Sequence, residues 1–340
     1  MAKKAFVYDG TNWIDIAQST ADLSNYANMT TTSISGFRNA ITNGDFRINQ
    51  REFTSNTTNG AYTFDRWAQY NLGGTVTTSA QTFTAGSPAA SGFESANYVR
   101  QVVSGQSTSG QYGSLLQPIE DVRTYAGAVT TISFYARASS GTPKIAIELQ
   151  QKFGSGGSPS SDVTAYVNQV TLSTSWTRYS ITTTVPSISG KTVGTTANTS
   201  SLGLNFWTSA GSDFNSRTGS LGIQNNTFDI WGVQFERGSV ATPFEYRPIV
   251  TELASCQRYF WRHAPTGISY ITHVYAGSQY RLTLPLPVTM RVIPSVASSG
   301  WAGGTTPTLG APNVQSINWY SLSGAFYIDT GTVVDISAEL

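Results

Sequence analysis

The sequence is short of cysteine, histidine and charge. One cysteine in 340 residues, Cys256, leaves no partner for an internal disulfide. A lone thiol of this kind reads as a small buried hydrophobe rather than a nucleophile. There are 2 histidines, His263 and His273. Only 11% of residues are charged, against about 25% in an ordinary globular protein. The net charge is +1 with no basic cluster, so the chain lacks the electrostatic footprint of a nucleic-acid binder. No apolar run is long enough to cross a bilayer, and the opening "MAKKAFVYDG" has no apolar stretch of signal-peptide length. No membrane insertion is expected, and synthesis in a cytoplasm is. Work outside a cell would then require lysis or transport as part of a particle. Serine, threonine, glycine and asparagine take the place of charge. Aromatic residues reach 12%, enough for real cores.

Catalytic signatures are scarce as well. There is no Gly-x-Ser-x-Gly elbow, no His-Glu-x-x-His and no P-loop. Carboxylates are few: Asp45, Asp65, Glu94, Glu120, Asp121, Glu148, Asp213, Asp229 and some others. A glycosidase needs two positioned carboxylates. Glu148 with Asp213 is the pair left to consider, and no long β-helix repeat accompanies it. The sequence predicts a protein that is not an enzyme.

Alternation dominates what remains. "KKAFVYDGTNWIDI" predicts a β-hairpin: Phe6 and Tyr8 lead into an Asp9–Gly10 turn, and Trp13, Ile14 and Ile16 return. A lone hairpin is marginal in water, so residues 1–36 are expected to form an attachment segment and linker. Residues 37–248 hold eight to ten short alternating strands separated by Gly, Ser and Pro, the pattern of a β-sandwich. In "TTISFYARAS", Ile132, Phe134 and Ala136 oppose Ser133, Tyr135 and Arg137. In "KIAIELQQKF", Ile145, Ile147 and Leu149 oppose Ala146, Glu148 and Gln150. In "DIWGVQFER", Asp229, Trp231, Val233 and Phe235 are expected on one face, with Trp231 inside. "QPIEDVRTYAG" has room for a helical turn. "VTELASCQRYFWR" predicts the one clear helix, capped by Thr251, with Leu253, Cys256, Gln257 and Phe260 on one side. It is expected to link the sandwich, over 249–264, to a smaller β-domain at 265–340. The predicted class is therefore all-β: a central sandwich, a short helix, a smaller C-terminal β-sandwich-like domain and an N-terminal hairpin.

Several stretches carry a resemblance: "NGDFRINQR", "TFDRW", "SFYARASSG", "QQKFGSGGSPSSDV", "TSWTRYSITTTVPSISGKTVGT", "DIWGVQFERGSVATPFEYRP" followed by "IVTELASCQRYF", and "PLPVTMRVIPSV". Together they resemble bacteriophage tail-fibre and other distal tail proteins with a carbohydrate-binding-module-like jelly roll. The resemblance implies a homotrimeric fibre in the virion tail, made in the host cytoplasm. It further implies attachment to a tail or baseplate protein through the N-terminus and contact with host cell-surface polysaccharide. No defined sugar site comes with it.

Glycan binding needs a ring to stack on a sugar and polar groups to hold hydroxyls. Tyr135 and Arg137, with Glu148 and Gln150, form one candidate set if their strands pair. The plain alternative is the half-wet side of a sandwich or a face covered by another subunit. Trp207 and Phe214, flanking a Gly-Ser-Asp loop, form a second set. Trp319 and Tyr320, near Trp301 and Tyr327, form a third at an expected distal tip, where trimer packing also accounts for the rings. Jelly rolls of this kind often hold a structural calcium, which implies a site at Asn43, Asp45 and Asp229. Calcium takes six to eight oxygens, and turn and strand-edge roles account for the same residues. Three functions stay open: a glycan-binding tail fibre, a purely structural collar or baseplate protein, and a polysaccharide-degrading spike.

Overall fold

The computed structural model describes residues 37–90, 92–265, 280–303, 305–322 and 325–340, and the backbone alone of 6–8, 13–15, 270, 271, 273–275 and 279. Near the N-terminus, β1 (Phe6–Tyr8) and β2 (Trp13–Asp15) form an antiparallel hairpin with Tyr8 opposite Trp13, as the alternation predicts. Its Asp9–Gly10 turn, Ile16 and the attachment role given to residues 1–36 lie outside the described residues.

The centre is a jelly-roll β-sandwich. Its strands are β3 (Ser55–Asn56), β4 (Ala68–Leu72), β5 (Thr75–Thr82), β6 (Asn97–Ser104), β7 (Tyr112–Glu120), β8 (Val129–Ala138), β9 (Lys144–Lys152), β10 (Val163–Thr171), β11 (Thr177–Thr184), β12 (Ser201–Ala210) and β13 (Thr227–Arg237). They form a five-stranded sheet, β10-β9-β12-β7-β4, and a six-stranded sheet, β11-β8-β13-β6-β5-β3. Period-2 alternation aims Ile132, Phe134 and Ala136 from one sheet at Ile145, Ile147, Leu149, Leu204 and Phe206 from the other, in one buried core. Phe134 meets Phe206 edge-on across the layers, with centroids 5.0 Å apart. Gln101 also spans the core, donating to Thr78 Oγ1 at 3.0 Å and to the Ser114 carbonyl at 3.3 Å.

The sequence missed β5, where Thr, Ser and Gln leave Val76 and Ala80 as the apolar residues, and β10, where Val163, Ala165, Tyr166, Val167 and Val170 do not alternate strictly with polar residues. Before β3, "NAITNGDFRINQR" runs as irregular backbone against β13. There the chain passes so close that a Cβ on Gly44 would sit 2.2 Å from the Val233 carbonyl oxygen.

A second correction concerns Trp231. β13 carries a bulge between Trp231 and Gln234, where Gly232 takes a left-handed φ of 64°. Before the bulge, Asp229 and Trp231 face outward, opposite Arg137 and Tyr135, while Phe228 and Ile230 face the core. After it, Val233 and Phe235 face inward. Trp231 is nevertheless fully buried. Tyr135, Phe83, Phe93 and Phe244 cover it with ring centroids 5.4, 6.1, 6.4 and 5.4 Å away. It belongs to an aromatic layer outside the six-stranded sheet.

After the sandwich comes α2 (Ile249–Gln257), α1 being the single turn Asn215–Thr218. Helix α2 starts two residues before Thr251, which makes no cap; Pro248 precedes it without a side-chain cap bond. It stops at Gln257 because Phe260–His263 is claimed by a sheet as β14. Nor is α2 a free linker. Glu252 accepts from the Asn43 backbone N–H and from Arg247, and Cys256 is fully buried.

The remaining strands are β15 (Tyr270–Ile271), β16 (His273–Tyr275), β17 (Gln279–Pro285), β18 (Ser295–Ser299), β19 (Thr308–Leu309), β20 (Ser316–Ser321), β21 (Tyr327–Ile328) and β22 (Val333–Ser337). They form three small sheets, β14-β22-β18, β15-β21 and β16-β17-β20-β19, around a separate core that includes Leu284, Met290, Ile317, Trp319, Ile328 and Ile336. Charged contacts tie this unit to the sandwich: Arg51 and Arg66 bind Glu339, and Arg258 binds Glu120.

Candidate functional site

The outer face of the five-stranded sheet gathers four of the nominated residues. Glu148, on β9, stands opposite Asn205 of β12. Because side chains alternate, Glu148, Gln150, Asn205 and Trp207 project from the same side. The Glu148 carboxylate is fully buried. It accepts from Arg217 Nε at 2.7 Å and Nη2 at 2.9 Å, from Trp207 Nε1 at 2.9 Å, from Asn205 Nδ2 at 3.2 Å and from Thr164 Oγ1 at 3.2 Å. Five donors meet about four lone-pair sites, so the carboxylate is saturated.

Arg217 reaches the site from α1, in the loop after β12. Gln169 of β10 pins that turn by donating to the Thr218 and Gly219 carbonyls, both at 2.8 Å. The guanidinium lies over the Trp207 ring, 4.8 Å from its centroid, with 32% of the side chain exposed. Trp207 is itself buried and forms the floor. Tyr112 and Phe214, both half-buried, flank it at 5.5 Å and are 4.7 Å from each other. Burial raises the Tyr112 phenol above its ordinary pKa, against the pull of Arg217, so it stays neutral and can donate or accept. What the face offers solvent includes two tilted rings, the outer edge of one guanidinium and the Gln150 amide. That set can stack on a sugar ring and bond its hydroxyls. The sequence nominated Glu148, Gln150, Trp207 and Phe214. It missed Tyr112, Asn205 and Arg217, whose roles depend on which strands are neighbours and on a loop folding back.

Tyr135 and Arg137 do not join this face. β8 belongs to the six-stranded sheet and β9 to the five-stranded one, so the two strands never pair. Tyr135 lies half-buried against Trp231, and Arg137 binds Asp229. The third set also divides. Trp319 is 1% exposed and packs on Trp301, 5.1 Å away, in the C-terminal core. Tyr320, half-buried, points to the other side of β20. The calcium set does not converge either. Asn43 spends its amide on the Ile48 and Asp65 carbonyls and its oxygen on the Ile48 N–H. Asp229 is neutralised by two arginines. Asp45 pairs with Arg47 at 3.1 Å. Among the described residues no group of three or more His, Cys, Asp or Glu could hold a metal ion.

Other reactive groups are muted. Burial pushes the Cys256 thiol well above its ordinary pKa, which suppresses thiolate chemistry. Asp213 sits in an exposed turn and accepts from Ser109 Oγ at 3.3 Å. Among the described residues no helix is long and apolar enough to cross a membrane.

No protein-family model and no curated protein matches the chain. Among solved structures, the enzymatically active domain of bacteriophage CBA120 tailspike protein 4 is similar at 14% identity and a TM-score of 0.35, over 59% of this chain and 22% of that one. The family 11 carbohydrate-binding module from Clostridium thermocellum, in complex with a mixed-linked tetrasaccharide, is similar at 13% identity and a TM-score of 0.34, over 56% of this chain and 99% of that one. The xylan-binding domain CBM22-1 of Paenibacillus barcinonensis Xyn10C gives 14% and 0.28, over 55% and 94%. At these values no residue role passes from those proteins to this chain.

Proposed function

We propose that the outer face of the five-stranded sheet binds a glycan, and that it does so as part of a bacteriophage tail fibre that contacts the host surface. The observation that carries the glycan reading is the saturated Glu148, which fixes Trp207, flanked by the tilted rings of Tyr112 and Phe214, and the Arg217 guanidinium over it. A buried carboxylate whose hydrogen bonds are all made rigidifies the side chains that hold it, so the ring and guanidinium geometry is preset. The tail-fibre reading rests on the sequence stretches quoted above and on the N-terminal hairpin. The same reading makes the protein a homotrimer, which light scattering can test; a stable monomer at micromolar concentration removes that part.

The proposed role is binding without catalysis. Glu148 has no free lone pair for a proton, and Asp213 is engaged at the loop surface. Release of reducing ends from a bound polysaccharide would move the reading to a degrading spike.

A shallow face with two rings buries little ligand. Single-site affinity is expected in the high-micromolar to millimolar range, about 4–6 kcal/mol. Three copies on one fibre would then act through avidity. Screening the chain on a glycan array and titrating the hits with Tyr112→Ala and Arg217→Gln tests the face. Both variants should lose binding while remaining folded. Hits that bind both variants as well as the parent place the site elsewhere.

A further inference from the structure

On the opposite side of the sandwich, the outer face of the six-stranded sheet carries a charge imbalance. One rung across three adjacent strands reads Arg100 on β6, Asp229 on β13 and Arg137 on β8. Arg100 grips the carboxylate with Nε at 2.7 Å and Nη2 at 2.9 Å, and Arg137 adds Nε at 2.9 Å. Both arginines also direct Nη2 at the Tyr98 hydroxyl, at 3.3 and 3.4 Å. Asp229 is 4% exposed, whereas the arginine side chains are 31% and 32% exposed. The acid thus lies underneath and the guanidiniums on top.

Two guanidiniums share one carboxylate, which leaves one net positive charge at the surface. In each arginine Nη1 has no hydrogen-bond partner among the described residues, so donors remain unused on both. The guanidinium planes are fixed from below, and Arg137 lies over the half-buried Trp176 ring, 4.9 Å from its centroid, a ring that Phe83 and Tyr98 hold at 5.5 and 5.3 Å. Arg178, one strand further out, is bonded to Ser133 Oγ and the Thr242 carbonyl and adds positive charge with no acidic partner among the described residues. In a chain with 11% charged residues, this concentration is unusual.

The geometry points to a second binding site, for an anionic sugar whose carboxylate or phosphate bridges Arg100 and Arg137, with Trp176 backing the Arg137 guanidinium. Paired guanidiniums with fixed planes match the two oxygens of such a group. That a sugar carries the anion rests on the proposed glycan function; that an anion binds here does not.

The test is calorimetric titration of the full chain at low salt with a galacturonic acid tetramer, with galactose 6-phosphate and with a neutral galactose tetramer. Arg137→Gln is the key variant, because Arg100 still holds Asp229 through two bonds and the fold should survive. A melting curve checks this, and Arg100→Gln is the second variant. At least one anionic probe should bind, weaken at least tenfold in Arg137→Gln, and weaken with added salt. Whichever anionic probe binds tells carboxylate from phosphate. The neutral tetramer should bind parent and Arg137→Gln alike and respond to Tyr112→Ala instead. If neither anionic probe binds, or if binding ignores both arginine variants, the rung is a structural ion pair and the inference fails. Loss of neutral binding in Arg137→Gln to the same extent would also overturn it. Indifference of the neutral tetramer to Tyr112→Ala would instead count against the opposite face alone.

Discussion

Glu148 shows how far a single residue can be read in advance. Alternation along "KIAIELQQKF" sets it apart from Ile147 and Leu149, and its charge on a strand marks it for notice. What alternation cannot supply is the company it keeps. Trp207 and Asn205 reach it because β12 is the neighbour of β9, and Arg217 reaches it because α1 folds back. Tyr135 and Arg137 were grouped with it on the same evidence and lie in the other sheet, since strand pairing is a long-range property. Trp319 illustrates the reverse: a ring that looked displayed is core. Glu148→Gln removes the charged partner of Arg217 and puts an amide NH2 where a carboxylate oxygen accepted from two or three donors. At least one buried donor is then left unsatisfied, and a loss of about 2–4 kcal/mol is expected. Binding to the sheet-face glycan should fall further than stability does, as Arg217 loses its fixed position. Thermal melts and titration of the same preparation separate the two effects.

Elements were legible where apolar residues alternate without interruption. β8, β9 and β12 follow the pattern and appear as expected. β5 does not follow it, because Thr, Ser and Gln fill most of its positions, and β10 does not, because its apolar residues Ala165, Tyr166 and Val167 run together beside a bulge at the sheet edge. β13 follows it only in part. Its bulge at Gly232 reverses the facing of everything before Val233, and one inserted residue is invisible to a period-2 reading. Helix α2 was predicted too long because "RYFWR" is compatible with both helix and strand, and pairing with β22 decides for strand. The wrong facing of Trp231 did not make it exposed, since Phe83, Phe93, Tyr135 and Phe244 build a second layer over it. Trp231→Ala should therefore cost about 3–5 kcal/mol, the usual range for a large buried aromatic. A melting temperature equal to the parent's would show that the second layer is loose. Unfolding monitored at Tyr112 and at Trp231 should coincide if both layers belong to one cooperative unit.

At the scale of the whole molecule, the sandwich and the C-terminal unit are joined by buried charge, a feature that a sequence so poor in charge did not advertise. Arg66 is 1% exposed, binds Glu339 and lies 3.4 Å over the Tyr259 ring. Glu339→Gln would leave that guanidinium buried with its charge unmatched, and a loss of about 3 kcal/mol is expected in a denaturant melt. The same junction should make stability depend on pH. Burial pushes Asp45 up to about 6, against the pull of Arg47 and with a further push from Glu252. Burial also pushes Asp65 up to about 6, against Arg51 and the bonds from Gln50. Between about 4 and 6 the folded chain holds protons that the unfolded chain has released, so folding is favoured by protonation there. This contribution is complete below the ordinary aspartate range and is lost as pH rises through 6. Glu120 acts the other way: burial pushes it up, but hydrogen bonds from Arg258 and Tyr259 outweigh that and hold it below its usual value. Its contribution is present above the ordinary glutamate range and is lost only as pH falls below it. His263, held below its ordinary pKa by burial, opposes this as pH falls, but the two aspartates together should make melting temperature rise as pH is lowered from 7.5 to 5 and turn down in more acid solution. Asp65→Asn, which supplies a permanently neutral side chain at the buried position, should flatten the rise between 7.5 and 5 while leaving the acid limb in place. A rise that persists in both Asp65→Asn and Asp45→Asn would assign it to other groups and separate the junction from the pH response.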